Sequence, residues 1–69
     1  MLYIEVREVG KDQIMLIQNE WTSIYQVVIE SIQNYSFSPD YVSKGFKTKK
    51  SAKSLFDKLV IKYESKLKG

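Results

Sequence analysis

Three lysines and a threonine in one run, Lys47-Thr48-Lys49-Lys50, carry the densest chemistry in this 69-residue sequence. They open a segment with helical periodicity, where free backbone N–H groups and the helix dipole already favour an anion. Acidic residues are normally preferred in a first turn, and each lysine there costs roughly a few tenths of a kcal/mol. Positions that break a local rule are where functional sites tend to lie. With Lys53 one turn further on, the group reads as a contact for phosphate, carboxylate or a nucleic-acid backbone. The competing reading is a solvated helix face whose lysines are neutralised by glutamates elsewhere in the chain.

Other chemistry is sparse. Glu5, Glu8, Asp12, Glu20 and Glu30 could pair as carboxylates, but no spacing fixes two of them in one cleft. Histidine and cysteine are absent, so the sequence offers no imidazole base, no thiolate nucleophile and no disulfide. The three glycines, Gly10, Gly45 and Gly69, form no phosphate loop. These residues predict no catalytic site, no metal and no cofactor; the expectation is that the protein is not an enzyme.

Charge is divided unevenly along the chain. Residues 1–34 hold two basic and five acidic side chains, a net of −3, whereas residues 35–69 hold nine lysines against three acids, a net of +6. Such asymmetry suggests a charged face held out to a partner. At this length one domain, residues 1–69, buries only about 60% of its unfolded surface. A protein partner, or a second copy in a homodimer, would add burial that a disulfide or metal does not supply. No stretch approaches the roughly 20 apolar residues of a membrane span, and the first residues do not resemble a signal peptide. A cytoplasmic protein with no membrane contact is expected.

The elements that must position these groups follow from periodicity. Residues 2–9 alternate apolar and polar, which puts Leu2, Ile4 and Val6 on one face of a strand and Tyr3, Glu5 and Arg7 on the other. Gly10-Lys11-Asp12 supplies a turn, and residues 13–18 read as the second strand of a hairpin, apolar on both faces. Residues 21–34 are ambiguous. Six β-branched side chains favour a third strand after an Asn19-Glu20 turn, while Trp21, Ile24, Tyr25, Val28, Ile29, Ile32 and Tyr35 share one helical face. Residues 34–41 read as a loop whose aromatics cap the core, with a short edge strand possible over residues 41–46. Ala52, Leu55, Phe56, Leu59, Val60, Tyr63 and Leu67 then form one helical stripe capped by Thr48. The predicted architecture is α+β: a three-stranded antiparallel sheet packed on one C-terminal amphipathic helix. The alternative is a β-hairpin with two helices.

If that helix covers one face of the sheet, Met15 and Ile17 remain on the other, joined by Tyr3, with Trp21 nearby. A Met/Ile/Tyr patch rimmed by Glu and Gln has the composition of a protein-binding or dimer surface, and Trp21 that of an interface anchor. The alternative is that the aromatic loop of residues 35–46 folds over the patch.

Gly45-Phe46-Lys47-Thr48-Lys49-Lys50-Ser51-Ala52 resembles the segment that opens the last helix in arm-type DNA-binding domains of phage and transposon tyrosine integrases. The resemblance implies a three-stranded sheet on a C-terminal helix, with Phe46 plugging the core, Thr48 capping and Ala52 packing. It also implies a sheet that enters the DNA major groove, whereas the hairpin here offers Glu5, Glu8, Asp12 and Glu20. The expected function is therefore a non-enzymatic protein-interaction module, a small accessory or inhibitor protein of a phage or mobile element that docks through an exposed sheet face. Nucleic-acid binding through the lysine-rich helix and its N-terminal corner is the alternative.

Overall fold

A computed structural model describes residues 1–31 and 39–68. Four antiparallel strands lie in the order β1-β2-β3-β4: β1 is Leu2–Val9, β2 Asp12–Gln18, β3 Tyr25–Ser31 and β4 Tyr41–Val42. The helix α1, Lys49–Lys68, packs across one face. The sheet thus has four strands, one more than the three predicted. The extra strand is the short edge segment that the Pro- and Ser-containing connection returns to β3, where Val28 faces Val42 and Ile29 faces Tyr41. Phe46 adds an isolated bridge to Tyr25.

The two-helix alternative is overturned. Residues 25–31 pair with all of β2, from Gln18 opposite Tyr25 to Asp12 opposite Ser31. β-branched side chains and a neighbouring strand with free backbone groups outweigh a helical period that no partner completes. Ile32 and Tyr35, which that alternative also invoked, lie outside the described residues, as does most of the aromatic loop.

Between β1 and β2 the chain reverses through Gly10, whose φ of 62° suits the first position of a primed hairpin turn. A Cβ there would also stand 2.8 Å from a methyl of Leu67. Gly45 has a different reason: a Cβ at that position would lie 2.5 Å from Ile24 Cγ2, so glycine lets the segment before α1 pass close to the β2–β3 loop.

One irregularity decides which side chains face which way. The β1–β2 register slips between Tyr3 and Glu5: Tyr3 opposes Ile17 and Glu5 opposes Leu16, leaving Ile4 as the extra residue of a bulge. Strict alternation predicts Ile4 and Val6 on one face and Tyr3, Glu5 and Arg7 on the other, and the bulge corrects this. Ile4, Glu5 and Arg7 lie on the helix side, while Val6 joins Tyr3 on the opposite side.

Beneath α1 the core comprises Val9, Ile14, Leu16, Val27 and Ile29 from the sheet and Ala52, Phe56 and Val60 from the helix. Leu55, Leu59 and Tyr63 flank it as the helical stripe predicts. Leu67 departs from the stripe in being exposed, although its methyls reach the Gly10 turn.

Candidate functional site

The predicted interaction residues divide into floor and rim. Cross-strand register places Val6, Met15, Val28 and Val42 in one row across the sheet face turned away from α1, with Tyr3, Ile17 and Gln26 in a row beside it. Met15, Ile17 and Val28 are only 6%, 5% and 8% exposed. The expectation that Met15 and Ile17 form an open docking patch is therefore corrected: they are the buried floor of a groove. Its exposed walls are Met1, Tyr3 and Val42, with Pro39, Gln26 and Glu30 completing a hollow of about 220 Å³.

Trp21 is 96% exposed, the opposite of the usual fate of a large aromatic. It sits on a loop that is held by several hydrogen bonds. The Asn19 side-chain oxygen accepts from the Trp21 and Thr22 amides at 2.9 and 3.2 Å. Ser23 N donates to Asn19 O at 2.8 Å, and Asn19 N donates to Ile24 O at 2.9 Å. Thr22 Oγ1 accepts from the Ile24 amide at 3.3 Å, and Ser23 takes a left-handed φ of 59°. Asn at the first position of such a loop mimics a backbone turn with its own side chain. Asn19→Ala should therefore leave the fold intact while hydrogen exchange at the Trp21 and Thr22 amides quickens, by about fivefold for a net bond of about 1 kcal/mol.

Met1 links the two regions. It lines the groove and also a second hollow of about 280 Å³ bounded by Asn19, Glu20 and Trp21. Its ammonium lies 3.4 Å from Glu20 Oε1. Tyr3, Met1 and Trp21 thus make one exposed apolar stretch along an end of the sheet.

On the other side of the molecule the lysine cluster is split. Lys53 Nζ donates to both oxygens of Glu5 at 2.7 Å and lies 3.2 Å from Asp57 Oδ1. It also stands 4.9 Å from the centroid of the Phe56 ring. Lys53 is thereby corrected from an anion contact to a tie between α1 and β1, joined by a longer Arg7–Glu64 pair at 3.9 Å. The bulge makes this tie, since it alone turns Glu5 toward the helix. Lys47, Lys49 and Lys50 remain exposed and make no ion pair with the described residues. Thr48 acts as the cap: its Oγ1 accepts from the Ser51 amide at 3.3 Å and bonds the Ser51 hydroxyl at 2.9 Å. No acidic residue occupies the first turn of α1.

Hydrogen bonding to Glu5 holds the Lys53 ammonium above its ordinary pKa of 10.5, against opposing desolvation and with help from Asp57. A raised lysine pKa stabilises the fold fully below the unfolded value and loses that contribution as pH rises through the folded one. Lys53→Met should accordingly lower the melting temperature at neutral pH, and the difference from the parent should shrink above pH 10.5 and in about 1 M salt.

Sequence reasoning missed Ser43, the buried polar side chain that joins β3 to the β4 segment. Its hydroxyl accepts from the Val27 amide at 2.9 Å and donates to Lys44 O at 2.9 Å. Ser43 N donates to Val27 O at 2.9 Å, and Gln26 Nε2 donates to Ser43 O at 3.0 Å. A lone serine in a loop-like run carries no signal for such a role.

Among the described residues, no three His, Cys, Asp or Glu side chains converge as a metal site, and no helix is long and apolar enough to cross a membrane. Comparisons with protein-family models, curated proteins and solved structures find no match.

Proposed function

We propose that this protein is a non-catalytic interaction module that docks on a protein partner through the sheet face turned away from α1 and the adjoining Trp21 loop. The observation that carries the reading is Trp21, 96% exposed on a hydrogen-bonded turn. A tryptophan left in water is unfavourable in the free chain, and Trp is among the residues that most often anchor protein interfaces. Fixing its backbone beforehand lowers the ordering cost of binding. Tyr3 and Met1 extend the apolar contact along the same end, and the buried floor of Met15 and Ile17 supports it from below. The junction around Phe46 and the small size suit an accessory or inhibitor protein of a phage or mobile element, acting in the cytoplasm.

A second reading rests on Lys47, Lys49 and Lys50, which are exposed at the start of α1 and favour an anionic chain such as nucleic acid. One experiment separates the two. Affinity capture from the host cell's lysate, with and without nuclease, is followed by mass spectrometry for the parent, Trp21→Ala and Lys49→Glu/Lys50→Glu proteins. The first reading expects nuclease-resistant protein capture that falls about tenfold in Trp21→Ala. Equal capture by Trp21→Ala would refute it. Nuclease-sensitive capture lost in the lysine variant would establish the second.

A further inference from the structure

Among the described residues the charged side chains around the Trp21 face are acidic, and the positive group there, the Met1 ammonium, lies 3.4 Å from Glu20 Oε1. On the sheet face turned away from α1, register aligns Glu8, Gln13 and Glu30 in a row beside the apolar row of Val6, Met15, Val28 and Val42. At the Trp21 end the neighbouring charged side chain is Glu20. No lysine or arginine lies on this face among the described strand residues, because the bulge turns Arg7 to the helix side. The protein's net charge is nonetheless +3, so this face is a local acidic field on a basic molecule.

Resting on the interaction reading above, we infer that the occupant of this face is a segment of another protein whose apolar side chains are interspersed with lysine or arginine. The apolar residues would meet Trp21, Tyr3 and Val6, and the basic ones would stand over Glu8 and Glu30, since Glu20 already faces the Met1 ammonium. Complementary charge steers such an encounter and penalises an acidic competitor.

A second copy of this chain fits less well, for reasons of symmetry. Two acidic faces brought together by a two-fold axis would set Glu8 and Glu30 against their own kind. The chain's own basic surface with an exposed apolar residue, Ile61 between Lys58 and Lys62, is on α1, across the sheet from the groove. Docking that surface into the acidic face of another copy would be head-to-tail, and such contacts generate open chains rather than a closed dimer.

The test uses the full chain immobilised against a random 12-residue peptide library, with the parent, Trp21→Ala and Glu8→Lys/Glu30→Lys proteins selected in parallel. All three altered positions are exposed, and circular dichroism checks that each variant folds. Peptides enriched by the parent over Trp21→Ala should combine apolar residues with Lys and Arg. Their affinity should fall about tenfold in the charge-reversed protein and weaken with salt. Trp21 is the sole tryptophan, so its fluorescence reports binding at this face alone. Trp21-dependent peptides rich in Asp and Glu, or with no charge bias, would overturn the inference and leave the interaction reading standing. Parent and Trp21→Ala selecting the same peptides would overturn both. Growth of the parent into large assemblies that salt disperses would overturn the inference in favour of the chain binding itself.

Discussion

Phe56→Ala should leave a chain that is largely unfolded at 37 °C. Phe56 is 1% exposed and sits where α1 meets Ile14, Leu16, Val27 and Ile29, the other fully buried large side chains. Truncating a buried phenylalanine costs about 3–5 kcal/mol, from lost transfer energy and from a cavity the neighbours fill only in part. A domain of 69 residues has a total stability of only about 3–10 kcal/mol. The neighbours cannot collapse into the gap without drawing α1 toward the sheet, and Ala52 and Val60 one turn away on either side hold that spacing. The variant also strips the ring from beneath the Lys53 ammonium. Urea titration followed by circular dichroism measures the loss. Phe56→Leu keeps most of the volume and should cost less than about 1.5 kcal/mol; equal loss in both variants would show that the cavity is not the cause.

Ser43→Ala should cost about 1–3 kcal/mol although it removes a single oxygen atom. The Val27 amide donates to that oxygen at 2.9 Å, and Val27 is fully buried in the middle of β3. Without it, the amide has no partner in a place that water reaches poorly, and an orphaned buried donor costs more than an ordinary hydrogen bond contributes. Hydrogen exchange should show the effect locally, with the Val27 amide losing protection before its neighbours in β2. Ser43→Thr keeps the oxygen and should preserve that protection. An Ala variant with unchanged exchange at Val27 would place another acceptor there.

These two positions also show what the residues disclose on their own and what they do not. Phe56 belongs to a stripe spaced by three and four, and its core role is legible because a helix imposes that spacing wherever it packs. The hairpin is legible for a similar reason, since alternation and a Gly-containing turn are local. Ser43 is not: its hydroxyl matters only because β4 comes home beside Val27, a pairing between residues far apart in the chain. The bulge at Ile4 is hidden in the same way. Alternation runs unbroken over residues 2–7 and changes phase at Arg7-Glu8, and that the extra residue is Ile4 becomes visible only against β2. That slip reversed the facing of Val6, Glu5 and Arg7, and with them the assignment of Lys53. Residues 21–34 carry two periods at once, and pairing with β2 selects the strand over Tyr25–Ser31. Trp21 is identifiable as a candidate anchor, but its 96% exposure on a turn hydrogen-bonded to Asn19 is not. Of the four residues the sequence singles out on the face turned away from α1 and beside it, Met15 and Ile17 are buried and Tyr3 and Trp21 are exposed.

The misfit at Ile4 has a further consequence, for life in a crowded cell. β1 is eight residues long and forms an outer margin of the sheet, where an even ladder of unused amides and carbonyls would invite other chains to add themselves. One supernumerary residue crimps that margin, and the ion pair it creates anchors a charged side chain beside it. The same kink that fastens helix to sheet thus discourages fibre growth, and a homologue one residue shorter here would need another safeguard against polymerising sideways.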